Sequence, residues 1–465
     1  MLPGWRAGRG LIRIAMLLTL TGAAPALAQA PGIPPLALPT PSIQTPDEAL
    51  AQDAGEYARQ VGVPIAEAIR RLHAQEETVP LTDRLQADYG DRLAGLYIEH
   101  QPVYRIVVLL TGTEPVPDQS VMAGGMTVPI VFRTSGRASR TRLLSAINTH
   151  QAAIRAALPK PPGMGVDPRT GTLLIEVDRG DIGLEGIDAL RTRLEAIAGA
   201  PVRIVVLGGH DVNLQVAAPA QPSNTGPGNT GPIGGAPVVS GTAAPGPVET
   251  RPVEGGALTV GTYAGDPKHY ACTTGFVVTD GARTGVVTAA HCADTIDYIT
   301  PDHRKTPLPF VGQWGWGYQD VQLHLASRAQ PLFYADTAMS VSRPVTGARS
   351  RTSTRAGDFV CHRGERTGYS CSFVQLVDFA PAGDLCGGAC LPTWVAVAGP
   401  TCKGGDSGAP VFIGTTALGL VKAANYREDG TCIFYTYMSV DYLPSGWSLL
   451  EQAQARRPAG ISAAD

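Results

Sequence analysis

The sequence predicts an all-β C-terminal half preceded by a segment of mixed helices and strands. From residue 258 onward, short β-rich runs alternate with Gly, Pro and Asp, which is typical of a β-barrel or β-sandwich. Between residues 47 and 207, helical periods alternate with apolar strand-like runs, which is typical of an α+β or α/β unit. The 465 residues are enough for two or three domains.

Residues 1–28 have the features of an export signal. Arginines make residues 6–13 positively charged, Leu11–Leu20 is a short apolar run, and Ala26-Leu27-Ala28 offers small residues for cleavage. The apolar run is much shorter than the ~20 residues that a membrane span needs. We therefore predict a signal peptide, a mature chain that starts near Gln29, and a protein secreted to the extracellular space or the periplasm.

The α+β segment is predicted within residues 29–216, after a proline-rich spacer. Its apolar residues recur at helical spacing in some stretches and in continuous runs in others. The predicted helices are Asp47–Gln60, Pro64–Glu77, Leu81–Leu93, Arg140–Leu158 and Asp188–Ile197, and the predicted strands are Tyr104–Leu110, Val128–Phe132, Thr172–Val177 and Val202–Leu207. No nucleophile is paired with a base here, so we interpret the scattered histidines as surface or capping residues, namely His73, His100, His150 and His210.

Residues 217–256 are rich in Pro, Gly, Ser, Asn and Thr, and Asn-Thr-Gly-Pro occurs at 224–227 and again at 229–232. The stretch lacks the apolar residues that would offset the entropy of ordering it, so we predict a flexible linker. Proteases cut exposed linkers readily, so we expect processing here.

The half from residue 257 to residue 465 is predicted to be the β-rich domain. The predicted strands include Gly275–Thr279, Gly285–Ala289, Val321–Leu325, Phe373–Val377, Trp394–Val397, Ala417–Val421 and Ile433–Tyr437. All 8 cysteines lie at or after Cys272, and an even number confined to one part of an exported chain predicts disulfides. The net charge of −3, with 17% charged residues, gives no electrostatic argument for a nucleic-acid or anionic-membrane partner.

Two short motifs in this half carry residues suited to nucleophilic catalysis. In Thr401–Pro410, Ser407 stands among glycines, which let a backbone turn tightly and direct its N–H groups to one point. A serine becomes a nucleophile when a base takes its proton and donors receive the oxyanion. His291, in Val287–Cys292, is the candidate base, since an imidazole can take that proton and return it. The alternatives are an ordinary polar turn and a packed histidine beside a disulfide.

A carboxylate is needed to orient the base and stabilise its cation. Asp320 is the candidate, because it lies between His291 and Ser407 in the chain and leads a strand-like alternation. The competing carboxylates are interpreted as solvated turn residues, namely Asp294, Asp297, Asp302 and Asp336.

These motifs resemble the trypsin/chymotrypsin-like serine protease family, whose histidine and serine motifs read TAAHC and GDSG. The resemblance is closest to the bacterial α-lytic protease and streptogrisin branch, and it covers roughly Gly255–Tyr442. Cys272–Val278 is similar to the strand before the histidine, and Val360–Cys371 to the disulfide hairpin of α-lytic protease.

The resemblance implies two antiparallel six-stranded β-barrels with the catalytic site in the cleft between them. It implies a secreted bacterial serine endopeptidase with a catalytic triad of His291, Asp320 and Ser407. The N–H groups of Gly405 and Ser407 would form the oxyanion hole, and Asp406 would position the loop. We expect no cofactor and no metal, a protein or peptide substrate, no nucleic acid, no membrane after signal cleavage, and a monomer.

The resemblance also implies that residues 29–216 are a pro-region, which assists folding and then inhibits the enzyme as an intramolecular partner. The chain would then be a pre-pro-enzyme, matured by loss of residues up to about 250. A β-rich fold has many non-local contacts, so a folding aid is physically reasonable. An unrelated secreted α/β module is the alternative.

The disulfide pairing implied by the resemblance is Cys272–Cys292, Cys361–Cys371 and Cys402–Cys432, which leaves Cys386 and Cys390 for each other. This last pair is not typical of the branch. Its alternative is a metal site, which would need two further soft ligands.

Two departures from the branch bear on substrate choice and activity. Cys402 stands five residues before Ser407, one closer than in the branch, and Lys422-Ala423-Ala424 replaces a small polar residue followed by glycines. Lys422 is either a solvated lysine or a pocket cation that favours acidic side chains in substrates. The alternative function is a catalytically silent homologue that binds protein or glycan through its cleft, with Trp314, Trp316 and Tyr318 either as binding surface or as barrel packing.

Overall fold

The computed structural model describes residues 41–207 and 252–455, except for residues 267, 400 and 428. The predicted signal peptide and most of the predicted linker lie outside the described residues. None of the helices in the described ranges combines the length and the hydropathy of a membrane span.

The N-terminal segment, residues 41–207, contains five helices and eight strands. They are β1 (Ser42–Ile43), α1 (Pro46–Val61), α2 (Ile65–Glu77), α3 (Val79–Asp88), β2 (Leu93–Glu99), β3 (Arg105–Leu110), β4 (Gln119–Ala123), β5 (Met126–Arg133), α4 (Arg140–Ala156), β6 (Gly163–Asp167), β7 (Thr172–Asp178), α5 (Ile187–Ala198) and β8 (Val202–Leu207). Strands β2, β3, β5 and β4 form one sheet in that order, and β6, β7 and β8 are consecutive neighbours in a second.

Local sequence explains where the first helix begins and ends. The Thr45 side chain accepts from the Glu48 N–H while the Glu48 carboxylate accepts from the Thr45 N–H, and Pro46 follows at the first helical position. Gly62, with φ of 76°, ends the helix in the left-handed region.

The predicted helix Leu81–Leu93 is wrong at its C-terminal end. Helix α3 ends at Asp88, and Leu93 instead begins β2, which pairs antiparallel with β3. Nearly every residue of β2 is buried, so its apolar run is continuous and shows no strand-like alternation in the sequence.

The C-terminal part, residues 252–455, is built almost entirely of strands. They are β9 (Val253–Gly255), β10 (Leu258–Thr262), β11 (Tyr270–Thr273), β12 (Val277–Thr279), β13 (Thr284–Thr288), β14 (Thr295–Ile299), β15 (Lys305–Leu308), β16 (Phe310–Trp314), β17 (Val321–Leu325), β18 (Ala329–Tyr334), β19 (Val341–Pro344), β20 (Gly347–Ala348), β21 (Phe359–Gly364), β22 (Gly368–Ala380), β23 (Trp394–Ala398), β24 (Pro410–Ile413), β25 (Thr416–Tyr426), β26 (Cys432–Ser439) and β27 (Ser448–Leu449), followed by the short helix α6 (Gln452–Ala455).

Six of these strands close into an antiparallel barrel. The order is β21-β24-β25-β26-β23-β22, and β22 pairs back onto β21 to complete the ring. Closure leaves no free edge within the ring. The barrel interior holds apolar residues such as Val360, Trp394, Val411 and Leu420, all with at most 1% of their surface exposed.

The strands before this barrel pair differently. Strands β11, β10, β14 and β15 form a four-stranded sheet, and β16, β17, β13, β12 and β27 form a five-stranded sheet. The chain leaves the first sheet at Thr273 and enters the second at Val277, so the ladder is interrupted between them. A second closed six-stranded ring is therefore not formed by the strand ladders of the described residues.

The N-terminal segment packs directly on the barrel. Strand β6 pairs antiparallel with β22, which extends the barrel sheet into β7 and β8, and β1 pairs in parallel with β19. Leu50, Tyr57 and Leu72 from the first two helices share one apolar core with barrel residues. This burial ties the two segments together through apolar contacts as well as backbone hydrogen bonds.

All eight cysteines are paired. The disulfides are Cys272–Cys292, Cys361–Cys371, Cys386–Cys390 and Cys402–Cys432, and no free cysteine is left. Cys386 and Cys390 close a short loop between β22 and β23, so neither has a thiol available for a metal.

Candidate active site

Two neighbouring strands bring His291 and Asp320 together. Strands β13 and β17 pair antiparallel, with Thr288 opposite Gln322, so the end of β13 and the start of β17 lie at the same sheet edge. His291 follows β13 and Asp320 immediately precedes β17. The Gln322 side chain donates to the carbonyls of Ala289 and Cys292, at 2.9 Å each, which fixes the turn that carries His291.

Ser407 reaches this edge on the loop between β23 and β24. Gly408, with φ of 84°, follows it, and a Cβ at this position would lie 2.2 Å from Thr288 Oγ1. Only glycine permits this close approach in the left-handed region. The loop is also anchored by Thr273, whose N–H donates to the Ser407 carbonyl at 2.9 Å.

The three side chains form a continuous hydrogen-bonded row. Nε2 of His291 lies 2.8 Å from Oγ of Ser407, and Nδ1 lies 2.8 Å from Oδ2 of Asp320. The His291 N–H also donates to Oδ1 of Asp320 at 3.2 Å. All three residues are buried, with 5%, 2% and 7% of their surface exposed for His291, Asp320 and Ser407. In this row a proton can pass from Ser407 to an imidazole that a carboxylate holds in place.

The Asp320 carboxylate is also paired with a cation. Nζ of Lys422, on β25, lies 3.2 Å from the same Oδ2 that faces His291. Burial opposes the ionisation of Asp320, but the charges of His291 and Lys422 and their hydrogen bonds hold the pKa of Asp320 well below its usual range. Asp320 is therefore an ionised carboxylate at neutral pH.

Lys422 is not the solvated lysine that the sequence suggested. Its side chain is buried, with its amine donating to the Leu385 carbonyl at 2.9 Å and lying 4.7 Å from the centre of the Trp394 ring. Burial lowers the pKa of Lys422, while Asp320 acts against this. Because the amine is committed to Asp320 and Leu385, the idea of a pocket cation that selects acidic substrates loses its basis.

The loop before Ser407 is held by Asp406. Its carboxylate accepts from the N–H groups of Lys403, Arg366 and Thr367, at 2.9, 3.0 and 3.1 Å, and from the Thr367 hydroxyl at 2.8 Å. Gly405 has φ of 105° in this turn. Within the hydrogen bonds of the described residues, neither the Gly405 N–H nor the Ser407 N–H donates to a protein acceptor. Two N–H donors therefore remain for another acceptor beside Ser407.

The competing carboxylates lie elsewhere. Asp336 accepts from the N–H groups of Ser340 and Val341, and Asp302 pairs with Arg304. Asp297 is on β14, and Asp294 is exposed on the segment beyond His291. In the described part of the chain, Asp320 is the carboxylate that contacts His291.

The three aromatic residues before Asp320 differ in their exposure to solvent. Trp314 packs against the main apolar core, whereas Trp316 and Tyr318 have 40% and 39% of their surface exposed. The Tyr318 ring lies 5.3 Å from that of Tyr442. Barrel packing thus accounts for Trp314, and the other two aromatics remain available to a ligand.

Two residues beside the site, Gln322 and Tyr263, were missed by sequence reasoning, and the contact of a third, Lys422, was not predicted. Gln322 holds the His291 turn, the Tyr263 hydroxyl donates to the His291 carbonyl at 2.5 Å, and Lys422 pairs with Asp320. The strand-like alternation of Val321 and Leu323 also places Gln322 on the opposite face of β17. Nothing in the sequence indicates that this second face is buried as well. Among the described residues, one group of possible metal ligands was found, Asp53 with Cys361 and Cys371, but both sulfurs belong to a disulfide.

No family model matches the sequence, and no curated protein matches it either. Solved structures are similar to part of the chain. Thermobifida fusca protease A is 22% identical, with 43% of this chain and 100% of that chain covered and a TM-score of 0.35. Cellulomonas bogoriensis chymotrypsin is 19% identical, with 43% and 100% covered and a TM-score of 0.34.

A protein titled α-lytic protease homolog N4 is 21% identical, with 41% of this chain and 94% of that chain covered and a TM-score of 0.32. These low identities and TM-scores do not by themselves assign an activity to this chain.

Proposed function

We propose that the chain is a secreted serine endopeptidase that hydrolyses peptide bonds through Ser407, His291 and Asp320. The observation that carries the proposal is the row of two 2.8 Å contacts from Ser407 Oγ through His291 to Asp320. The sequence motifs around Ser407 and His291 support it independently, since they read as in trypsin/chymotrypsin-like proteases.

The geometry supports the following sequence of steps. His291 Nε2 takes the Ser407 proton as Oγ attacks the carbonyl carbon of the peptide, and the carbonyl oxygen becomes an oxyanion. The N–H groups of Gly405 and Ser407 receive this oxyanion, a stabilisation for which one donor is typically worth roughly a hundred- to a thousand-fold in rate. His291 then gives its proton to the leaving amine. Water hydrolyses the acyl-enzyme by the same route, with no cofactor or metal.

The ionised Asp320 has two tasks in this scheme. It accepts from Nδ1 of His291, which leaves Nε2 free to act as the base, and it stabilises the imidazolium that forms after proton transfer. The backbone N–H of His291 donates to the other carboxylate oxygen, which gives Asp320 a second hydrogen bond to the same residue.

We further propose that the chain is a pre-pro-enzyme, with the signal peptide at 1–28, a pro-region at 29–216, a linker at 217–256 and the protease domain at 257–465. The strand pairing of β6 with β22 supports a role for the N-terminal segment in folding the barrel and then inhibiting it. In this proposal the four-stranded and five-stranded sheets correspond to the first barrel of a two-barrel protease. The enzyme acts as a monomer on proteins or peptides.

A serine-reactive fluorescent phosphonate tests the proposal. The full precursor would be expressed with export, as wild type and as Ser407→Ala, and the secreted material would be labelled and its intact masses recorded. We expect labelling of a C-terminal fragment in the wild type alone, with cleavage within the linker at residues 217–256. A folded wild type that stays unlabelled after loss of its N-terminal segment would instead favour a silent homologue that binds protein or glycan.

A further inference from the structure

Lys422 occupies an unusual place beside the reacting groups. It lies on β25 with 2% of its surface exposed, and its amine reaches the oxygen of Asp320 that His291 also uses. A buried lysine without a partner would be costly, and here one carboxylate and one carbonyl supply the compensation. The Lys422 amine is thus buried within the site, where it is hydrogen-bonded, and is not exposed at the edge of the site.

Three separate elements hold the amine in place. Asp320 precedes β17, Trp394 lies on β23, and Leu385 lies in the loop between β22 and β23, just before the Cys386–Cys390 disulfide. That loop is itself joined to the Asp320 segment, because the Gly317 N–H donates to the Cys386 carbonyl and the Leu391 N–H donates to the Gly317 carbonyl. Hydrogen bonds and an ion pair therefore connect the loop, the lysine and the carboxylate.

We propose that Lys422 is a positioning residue whose charge offsets that of Asp320, so that His291 keeps its role as a base to lower pH. The inference rests on the proposed function of the site. Oδ2 of Asp320 is shared between Nδ1 of His291 at 2.8 Å and Nζ of Lys422 at 3.2 Å. The positive charge of the Lys422 ammonium therefore offsets part of the negative potential with which Asp320 would stabilise an imidazolium. The protonated form of His291 is then less favoured than it would be beside Asp320 alone.

The other groups near the site do not replace this charge. Tyr263 donates to the His291 carbonyl, and burial and neighbouring carboxylates raise the pKa of its hydroxyl, which therefore stays neutral. Asp294 is exposed on the segment after His291, and the Asp406 carboxylate accepts hydrogen bonds from its own loop and from Thr367. In the loop that holds Lys422, Asp384 pairs outward with Arg155.

The remaining neighbours of Asp320 carry no charge. On β17 the next polar residue is the neutral Gln322, and from β26 the Met438 sulfur accepts from the Asp320 N–H at 3.2 Å. Within the described residues, Lys422 is the one lysine or arginine in ion-pair contact with Asp320.

Three substitutions separate the charge from the hydrogen bonds. Lys422→Gln keeps a donor but loses the charge, Lys422→Met fills a similar volume without either, and Lys422→Arg keeps the charge. The matched control is Lys305→Gln, which removes the same charge from an exposed position on β15. The measurement is kcat/KM against pH, with active sites counted by the phosphonate and folding checked by circular dichroism.

We expect the acidic limb of kcat/KM to move to higher pH by about one unit in Lys422→Gln and Lys422→Met, because an uncompensated Asp320 stabilises the imidazolium. The limb should stay at its wild-type position in Lys422→Arg and Lys305→Gln. A Lys422→Gln profile that superimposes on the wild type, or an equal displacement in Lys422→Arg, overturns the proposal.

A second measurement keeps this inference distinct from the proposed function. The NMR titration of the His291 Cε1 proton, in wild type and Lys422→Gln, reports the protonation of His291 without any substrate. If the phosphonate fails to label the wild type, the proposed function falls. An upward displacement of the His291 titration in Lys422→Gln would still support the electrostatic role of Lys422, and an unchanged titration would overturn it.

Discussion

Asp320 at the candidate active site and Asp53 at the contact between helix α1 and the barrel are both buried carboxylates that face a buried cation. Asp320 faces Lys422, and Asp53 faces Arg343, whose Nη1 donates to Oδ1 at 2.9 Å. Asp53 also accepts from the Tyr369 hydroxyl at 2.5 Å and from the Gly414 N–H at 2.6 Å. Each carboxylate is thus satisfied by three or more donors.

The pKa values of Asp320 and Asp53 nevertheless shift in opposite directions. Burial raises the pKa of Asp53, and Arg343 with the neutral donors does not cancel this effect. Burial is also the largest influence on Asp320, but His291 and Lys422 outweigh it and lower its pKa. The imidazole of His291, which Asp320 contacts in addition to a cation, is what distinguishes the two sites. The catalytic scheme needs an ionised Asp320, whereas Asp53 needs only to join two segments.

The largest expected difference between the two sites is in catalysis. Asp320→Asn should lower kcat about 10⁴-fold, because the amide favours the wrong tautomer of His291 and does not stabilise its cation. Asp53→Asn should leave kcat within a few-fold when rates are normalised to phosphonate-labelled sites. Comparable losses in both variants would contradict this division of roles between the two carboxylates.

The next effect is on stability, and it is expected at Asp53. The Asp53→Asn substitution leaves one acceptor oxygen where the carboxylate serves Arg343, Tyr369 and Gly414, so a buried donor becomes unpaired at a cost of about 1–3 kcal/mol. Urea unfolding of the full chain, in a Ser407→Ala background that prevents self-cleavage, measures this. Asp188→Asn is the control, since its ion pair with Arg191 is exposed and its loss should be within error.

The sequence predicted the elements that depend on local pattern. Strand β17 was predicted as Val321–Leu325 and observed with those bounds, and helix α2 was predicted within one residue of its start. Strand β22 was predicted over five residues but spans Gly368–Ala380, because it pairs in turn with β21, β23 and β6. Partners of this kind are distant in the chain and leave no local signal.

The same limit applies to the candidate site. Ser407 and His291 stand in motifs whose residue types require a particular chemistry, so they could be named from the sequence. Lys422 stands in a strand where a charged residue usually points to solvent, and only the fold shows that it meets Asp320. Asp53 and Arg343 are 290 positions apart, so their pairing too follows from tertiary packing alone.

A pH titration sharpens the comparison further. The lowered pKa of Asp320 stabilises the fold above the ordinary carboxyl pKa of about 3.9, and this contribution is lost as pH falls through the folded pKa. The raised pKa of Asp53 has the opposite sign, since its contribution is present below about 3.9 and is lost as pH rises through the folded pKa.

The carboxyl carbon NMR signals of Asp320 and Asp53 can follow both titrations. The Asp320→Asn and Asp53→Asn variants serve to assign the two signals. We expect the Asp320 signal to remain that of a carboxylate at pH values just below about 3.9, where the Asp53 signal is still that of the acid. Titration of both carboxylates at the same pH would remove the distinction between the sites.

The smallest expected effect tests whether the N-terminal segment influences the candidate active site. The Gln151 side chain on α4 donates to the Cys390 carbonyl at 2.8 Å, and Cys390 closes the loop whose Leu385 carbonyl holds Lys422. Gln151→Ala should cost about 0.5–1.5 kcal/mol of stability in the full chain, the value of one hydrogen bond. Because the disulfide and the Gly317 contacts fix the loop independently, the acidic limb of kcat/KM should not move. A displaced limb would mean that the N-terminal segment acts on Asp320 through this loop, and the active site would then not be independent of the segment that covers the barrel.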